Sequence, residues 1–220
     1  MTTFTIRMTM MTPSRPRIRR AALALPFVAV LFALPAAGDP AVRSAPMQMI
    51  EETTDQVLAV LRDSALSTEQ KRVRLENLAQ QHFDFAAMSR LVLARNWKRF
   101  SEPQQVEFVE AFKDFLAHSY ADRIDRYSEE DIAVAGERQE PRGDVTVSTR
   151  IVGGQYNDAV VDYRLRQRDG EWRIIDVVVE GISLVFNYRD QFKEVVGRDG
   201  PEGLLKRLRE KNLPVVVNES

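Results

Sequence analysis

The 220-residue chain contains no cysteine and only two histidines, His82 and His118. Without cysteine there is no disulfide framework, no thiol nucleophile and no cysteine metal site. Two isolated histidines are too few for a histidine-based zinc site and fit surface or packing roles. A phosphate-cradling glycine loop and a nucleophile elbow are also missing, since Gly153-Gly154 indicates only a hairpin. The residue types therefore predict neither a metal site nor a bound cofactor.

Acidic residues are absent before Asp39, whereas five arginines lie in the first 20 residues. An apolar run from Ala21 to Leu34 follows, and then the small residues Ala36 and Gly38. This order of basic, apolar and small residues is typical of a secretory signal peptide. The alternative is an N-terminal membrane anchor, but a span needs about 20 apolar residues and this run is shorter. The pattern predicts a signal peptide over residues 1–38.

Removing residues 1–38 leaves 26 basic against 32 acidic residues, a net charge of −6. A chain of this overall charge is not drawn to anionic lipid or nucleic acid by charge alone, and its basic residues are interleaved with acidic ones. We therefore predict no nucleic-acid partner. Two prolines and no periodicity mark residues 39–46 as a disordered leader. Residues 47–212 are expected to form a single domain, with a C-terminal tail over 213–220.

Apolar residues recur at helical spacing in the first half of this domain and at a spacing of two in the second half. Helices are predicted over 47–62, from Ser67 or Thr68, after Asp84 and over 101–127. Four strands follow, and then a helix that Gly200-Pro201 interrupts. Helices followed by a meander predict an α+β fold, in which the helices cover one face of a four-stranded antiparallel sheet.

The helix predicted over 101–127 carries an apolar arc that is wider than one neighbouring helix needs. The arc comprises Phe108, Val109, Phe112, Phe115, Leu116, Tyr120 and Tyr127. These side chains either fill an ordinary core or, as a joint excess of apolar surface, border a cavity.

An Asp-Gly pair at residues 169–170 predicts a two-residue hairpin turn. The turn would pair Tyr163 with Asp176, Leu165 with Ile174 and Val161 with Val178. Asp176 would then lie on an apolar inner face, where a carboxylate is costly unless it is hydrogen-bonded or neutral. One interpretation is a general base beside Tyr163 in a small hydrophobic-substrate enzyme. The other is a structural carboxylate bonded to Tyr163, an arginine or a helix N-terminus.

Three stretches together resemble one family: "FDFAAMSRLVLARNWKRFSEPQQVEFVEAFKDFLAHSY", "VVDYRLRQRDGEWRIIDVVVEGISLVFNYRDQF" and "VGRDGPEGLLKRL". They resemble the MlaC proteins, also called the toluene-tolerance auxiliary family, over most of residues 50–210. The most specific part runs in order through Trp172, Asp176, Glu180, Gly181, Ser183, Tyr188, Arg189 and Phe192. One departure is Ala94, near which the family tends to have glycine.

The resemblance implies a periplasmic phospholipid carrier without catalytic chemistry of its own. It implies a fold like nuclear transport factor 2, with a deep apolar pocket between helices and curved sheet. It also implies two partners: an inner-membrane ABC transporter with a lipid-binding domain subunit, and an outer-membrane lipoprotein–porin complex. Lipid shuttled between them would maintain outer-membrane lipid asymmetry.

The resemblance and the excess apolar surface together predict a pocket for acyl chains. Its predicted lining is Phe108, Phe112, Phe115, Leu116, Tyr120, Val147, Ile151, Val161, Tyr163, Ile174, Val178, Leu184 and Tyr188. Two alternatives stay open at this point: an enzyme that uses Asp176 and Tyr163, and a protein-binding adaptor with a filled core.

Overall fold

The computed structural model describes residues 43–120 and 130–214. The helices are α1 (Ala45–Arg62), α2 (Thr68–His82), α3 (Phe85–Leu93), α4 (Glu102–Tyr120) and α5 (Leu184–Arg209), with a 3₁₀ turn at Ala94–Arg99 between α3 and α4. The strands are β1 (Asp131–Gln139), β2 (Val145–Val152), β3 (Val160–Arg168), β4 (Glu171–Val179) and β5 (Ile182–Ser183). Within these residues, no helix is long and apolar enough to cross a membrane.

The strands lie in chain order in one antiparallel sheet, and the helices pack against it, which confirms the predicted α+β fold. The four predicted strands are β1 to β4, and the two-residue strand β5 was not predicted. The predicted signal peptide and the helical extension over 121–127 fall outside the described residues. So do residues 39–42 of the leader and residues 215–220 of the C-terminal tail.

Helix starts follow the capping residues in the sequence. The Ser44 hydroxyl accepts a hydrogen bond from the Met47 amide at 3.3 Å, so α1 begins ahead of the predicted start at Met47. Ser67 and Gln70 form a reciprocal capping box at the start of α2. The Asp84 carboxylate accepts from the Ala87 amide at 2.8 Å, as predicted for α3.

A β-bulge divides the hairpin of β3 and β4 into two registers. Leu165 pairs with Ile174 as predicted, and Asp169 and Gly170 both have the positive φ of the predicted turn. Beyond Leu165 the register shifts, because Ile175 is an extra residue on β4. The predicted pairs of Tyr163 with Asp176 and of Val161 with Val178 are therefore wrong. The observed pairs are Tyr163 with Val177, Arg164 with Asp176 and Val161 with Val179.

The shift matters because side chains alternate between the two faces of a strand. Past the bulge, Val177 and Val179 share the face of Tyr163, and Asp176 lies on the opposite face with Arg164. The backbone at the bulge also ties the helices to the sheet, since the Asp84 amide donates to the Ile174 carbonyl at 2.9 Å.

Two apolar cores hold the layers together. In the first, α3, α4 and α5 enclose a cluster of aromatic rings in which Phe108, Phe112, Tyr188 and Phe192 are each 0% exposed. Phe108 and Phe112 are stacked, and the other neighbouring rings pack edge-on or tilted, all at centroid distances of 5.6–5.9 Å. In the second core, Ile50 of α1 packs on sheet residues that include Val147 and Ile174.

Ala94 is the C-cap of α3 and has φ 48° and ψ −120°, a backbone conformation that residues with a Cβ rarely adopt. We expect Ala94→Gly to raise the free energy of unfolding by about 1 kcal/mol, because glycine relieves this strain. Urea denaturation measures the change. The matched control is Ala59→Gly, at an exposed position in α1, which is expected to lose about 1 kcal/mol. A loss of stability at both positions would contradict the interpretation.

Candidate functional site

A cavity of about 920 Å³ lies between the inner face of the sheet and the helices α2 and α4. The sheet contributes Ile151, Val161, Tyr163, Val177 and Val179. The helices contribute Leu75, Leu78 and Ala79 from α2 and Leu116, Ala117 and Tyr120 from α4. This volume is at the upper end of the range of about 300–1,000 Å³ that small-molecule sites occupy. The walls are therefore mainly apolar, as a site for hydrocarbon requires.

The degree of burial along the walls indicates a cavity and not a filled core. None of the α2 side chains is fully buried, although Leu75 and Leu78 are apolar and line the cavity. Val161, Tyr163 and Val177 on the facing sheet are also only half-buried. Core residues are normally packed on all sides at crystal-like density. The apolar side chains of α2 and of the facing sheet lack such packing, so there is room between them for a ligand.

Charged side chains border the cavity where it reaches the protein surface. Arg72 donates to Glu69 and to Glu76, the latter at 2.8 Å, so the positive charge on α2 is matched by neighbouring acids. Lys113 and Lys211 line another part of the border, together with exposed Asp114, His118 and Glu180. Within the described ranges, no three His, Asp or Glu side chains group as a metal ion would require. The border thus mixes charges of both signs around an apolar interior.

The corner between β4 and α5 closes one side of the cavity. Glu180 and Gly181 both have positive φ, which turns the chain sharply at the end of β4. The Glu180 amide donates to the Val160 carbonyl at 3.0 Å, and its carboxylate accepts from the Val160 amide. The corner is thereby attached to β3. Ile182 and Leu184, on either side of Ser183, line the cavity.

Asp176 fixes the other end of this corner. Its carboxylate accepts from the Ser183 hydroxyl at 2.6 Å and from the Val185 amide at 3.1 Å. Ser183 in turn caps α5 by accepting from the Phe186 amide at 2.9 Å. Burial raises the pKa of Asp176, and these hydrogen bonds and the charge of Arg164 partly offset the rise. Asp176 is a structural carboxylate at a helix N-terminus, which is one of the two interpretations drawn from the sequence.

The arrangement that the enzyme alternative requires is not formed. The enzyme alternative requires Asp176 to lie beside Tyr163 on the inner face of the sheet. The bulge instead places Asp176 on the opposite face. Burial also raises the pKa of Tyr163 to about 12, so its hydroxyl stays protonated at neutral pH. Tyr163 therefore presents a neutral polar group to an otherwise apolar wall.

Six of the thirteen predicted pocket residues line the cavity: Leu116, Tyr120, Ile151, Val161, Tyr163 and Leu184. Phe108, Phe112, Phe115 and Tyr188 lie in the aromatic core of the helices. Val147 and Ile174 pack in the second core, and Val178 pairs with Ser183 on the opposite face. Contact of any of these residues with acyl chains stays a prediction.

The cavity wall formed by α2 and the pair Val177 and Val179 were not among the residues predicted from the sequence. The spacing of Leu75, Leu78 and Ala79 places them on one helical face and could have indicated the α2 wall. Val177 and Val179 could be assigned only with the bulge, which no feature of the sequence marks.

We expect Asp176→Asn to lower the free energy of unfolding by about 1 kcal/mol at neutral pH. An amide oxygen keeps one acceptor, but a charge-assisted hydrogen bond is lost. Because burial raises the folded-state pKa of Asp176 above its unfolded value, the folded state binds this proton more tightly. The stability of the parent relative to the variant should therefore rise as the pH falls through the folded-state pKa.

Urea denaturation of both proteins across the acidic range measures this difference. Asp169→Asn is the matched control, since the Asp169 side chain is 94% exposed and lies in the turn of the same hairpin. If the stability of the parent relative to Asp176→Asn instead decreased as the pH fell, Asp176 would not be a buried carboxylate with a raised pKa.

A family model described as "MlaC protein" matches residues 51–210. The chain is 27% identical over 118 residues to the toluene tolerance protein ttg2D of Pseudomonas putida, covering 53% of this chain and 55% of that protein. It is 21% identical over 154 residues to the intermembrane phospholipid transport system binding protein MlaC of Haemophilus influenzae, covering 67% and 70%. The match thus spans little more than half the length of the Pseudomonas protein.

Among solved structures, the fold is similar to a phospholipid-binding protein from Ralstonia solanacearum, which was determined in complex with a phospholipid. The TM-score is 0.68 at 24% sequence identity, and the match covers 76% of this chain and 96% of that chain. At this identity the likeness establishes the shared fold.

Proposed function

This chain belongs to the MlaC family, and we propose that it is a periplasmic carrier that holds the acyl chains of a phospholipid in the cavity. The observation that carries the proposal is the cavity of about 920 Å³ with half-buried apolar walls. The Haemophilus relative, which is named for phospholipid transport, and the Ralstonia protein with its bound phospholipid support the same ligand.

The physical need for such a cavity follows from the cost of exposing hydrocarbon to water, about 0.8 kcal/mol for each methylene group. A lipid that crosses an aqueous compartment therefore needs its tails covered, whereas its headgroup is well hydrated. The apolar sheet face and α2 would cover the tails. The charged border that includes Arg72, Lys113 and Asp114 would face the headgroup region.

The proposal includes the place and the partners that the family implies. The basic and apolar order of residues 1–38 supports export, and the carrier would then move lipid between an inner-membrane ABC transporter and an outer-membrane lipoprotein–porin complex. Carriage needs binding and release without bond chemistry, so we propose that the protein is not an enzyme.

The test is to express the chain with its own N-terminal segment, purify it without detergent, and analyse an organic extract by mass spectrometry. Near-stoichiometric phospholipid is the expected result. Protein that is folded and lipid-free in several gentle preparations would overturn the proposal and favour an adaptor.

A further inference from the structure

A cluster of unpaired cations lies at the end of α3 and in the 3₁₀ turn that follows it. Residues 85–101 are the longest acid-free stretch after Asp39, and they contain Arg90, Arg95, Lys98 and Arg99. All four side chains are exposed. We call these four residues the basic patch.

The fold makes little use of these charges. In the part of the chain that the structure describes, none of the four forms an ion pair. Arg99 donates a long hydrogen bond of 3.4 Å to Asn96 in the same turn. Arg90 lies over the Trp97 ring at 5.6 Å from its centroid. Cations near a helix C-terminus are favoured by the helix dipole, which accounts for Arg90 in the last turn of α3. It does not account for Arg95, Lys98 and Arg99, which lie beyond α3 in the 3₁₀ turn.

The neighbouring helix adds to the positive charge. The Arg189 guanidinium of α5 donates from Nε to the Leu91 carbonyl at 3.0 Å, so a fifth cation is held against the last turn of α3. The concentration is notable because residues 39–220 carry a net charge of −6. Overall charge therefore opposes binding to an anionic surface, and a local field on one face has to supply the attraction.

We propose that the basic patch adsorbs the protein to the surface of a bilayer that contains anionic phospholipid. Arginine and lysine side chains bind lipid phosphates, and each cation near an anionic membrane contributes roughly five-fold to the binding constant.

A protein interface is the less favoured occupant. Specific protein interfaces are usually centred on exposed aromatic or aliphatic anchors. The described residues with large exposed apolar side chains are Val73, Val106, Val152, Ile182 and Phe186, and none of them lies within 85–101. Trp97 is packed against the helical core under Arg90, so it is not a free anchor. A patch of charges without an apolar centre suits electrostatic adsorption.

The patch and most of the cavity-lining residues of α3 and α4 lie toward different ends of these two helices. The patch follows the end of α3 and precedes the start of α4 at Glu102, whereas the cavity is lined by Phe85 and Met88 earlier in α3 and by the second half of α4, from Lys113 to Tyr120. With a rise of 1.5 Å per residue, Glu102 and Lys113 are about 16 Å apart along the axis. Adsorption through the patch would concentrate the protein at a membrane while the α4 part of the cavity wall lies about three helical turns away along α4.

The test is co-sedimentation of the full chain, as purified from cells, with vesicles of phosphatidylcholine alone or mixed with phosphatidylglycerol. Binding is expected only to the mixed vesicles, and it should fall steeply between about 0.1 M and 0.5 M salt because of screening. The triple variant Arg95→Gln, Lys98→Gln, Arg99→Gln should bind the mixed vesicles about 100-fold more weakly. Its lipid content after purification should equal that of the parent, which separates this proposal from carriage itself.

A matched control removes three exposed cations elsewhere: Arg74→Gln, Arg142→Gln and Lys206→Gln. It has the same net charge as the patch variant and should retain most of the binding. Equal loss in both variants would overturn the proposal, because net charge alone would then explain it. Absence of binding to the mixed vesicles at low salt would also overturn it and would direct attention to an acidic protein partner.

Discussion

Tryptophan side chains introduced from two helices that line the cavity are expected to remove most of the bound phospholipid without unfolding the protein. Ala79 of α2 and Ala117 of α4 both line the cavity and are half-buried. In the double variant Ala79→Trp, Ala117→Trp, two indole rings would occupy space that acyl chains need. If roughly four methylene groups lose their cover, about 3 kcal/mol of binding free energy is lost, which corresponds to more than a 100-fold weaker complex. The stability of the lipid-free protein should be unchanged or higher, since the rings cover exposed apolar walls.

The measurement is the molar ratio of extracted phospholipid to protein, together with urea denaturation of the delipidated proteins. Ala59→Trp adds the same ring at an exposed position in α1 and should leave the lipid content unchanged. A double variant that is stably folded and carries the full lipid load would show that the acyl chains lie elsewhere.

The sequence predicted the fold well because the fold depends on local signals. Ser67 and Asp84 mark helix starts, Asp169-Gly170 marks a hairpin, and Gly200 ends the first segment of α5 with φ 70°. Each of these signals determines the conformation of only the few residues next to it in the sequence. The alternation of apolar residues then predicts strands and their order as a meander.

The site was predicted less well because it depends on non-local register. One extra residue, Ile175, moves Asp176 from the cavity face to the helix N-terminus and brings Val177 and Val179 to the cavity. A bulge of this kind has no fixed sequence signature. The same limit applies to α4, whose Phe108 and Leu116 both pack in the helical core although only Leu116 also lines the cavity. Periodicity predicts that a side chain faces inward. It does not predict whether that side chain packs against other side chains or contacts a ligand in a cavity.

Phe112→Ala is expected to show the contrasting behaviour of a core position. Phe112 is 0% exposed and its ring contacts Phe108, Tyr188 and Phe192. Removing a fully buried phenyl ring costs about 3–5 kcal/mol, which is a large part of the stability of a typical domain. The molecules that remain folded should carry the same phospholipid load as the parent, since Phe112 does not line the cavity. Urea denaturation and lipid extraction of the folded fraction measure the two effects separately.

Val161→Ala supplies the matched comparison, because Val161 is half-buried and borders the cavity from the sheet. It should cost about 1 kcal/mol or less, since fewer packed contacts are lost than at a fully buried position. If Phe112→Ala were as mild as Val161→Ala, the aromatic cluster would not be a close-packed core, and Phe112 would return to the acyl-chain wall that the sequence predicted. A large loss of stability with an unchanged lipid load in Phe112→Ala would instead distinguish core residues from cavity residues. A core residue such as Phe112 stabilises the fold through contacts with other side chains and does not contact the lipid.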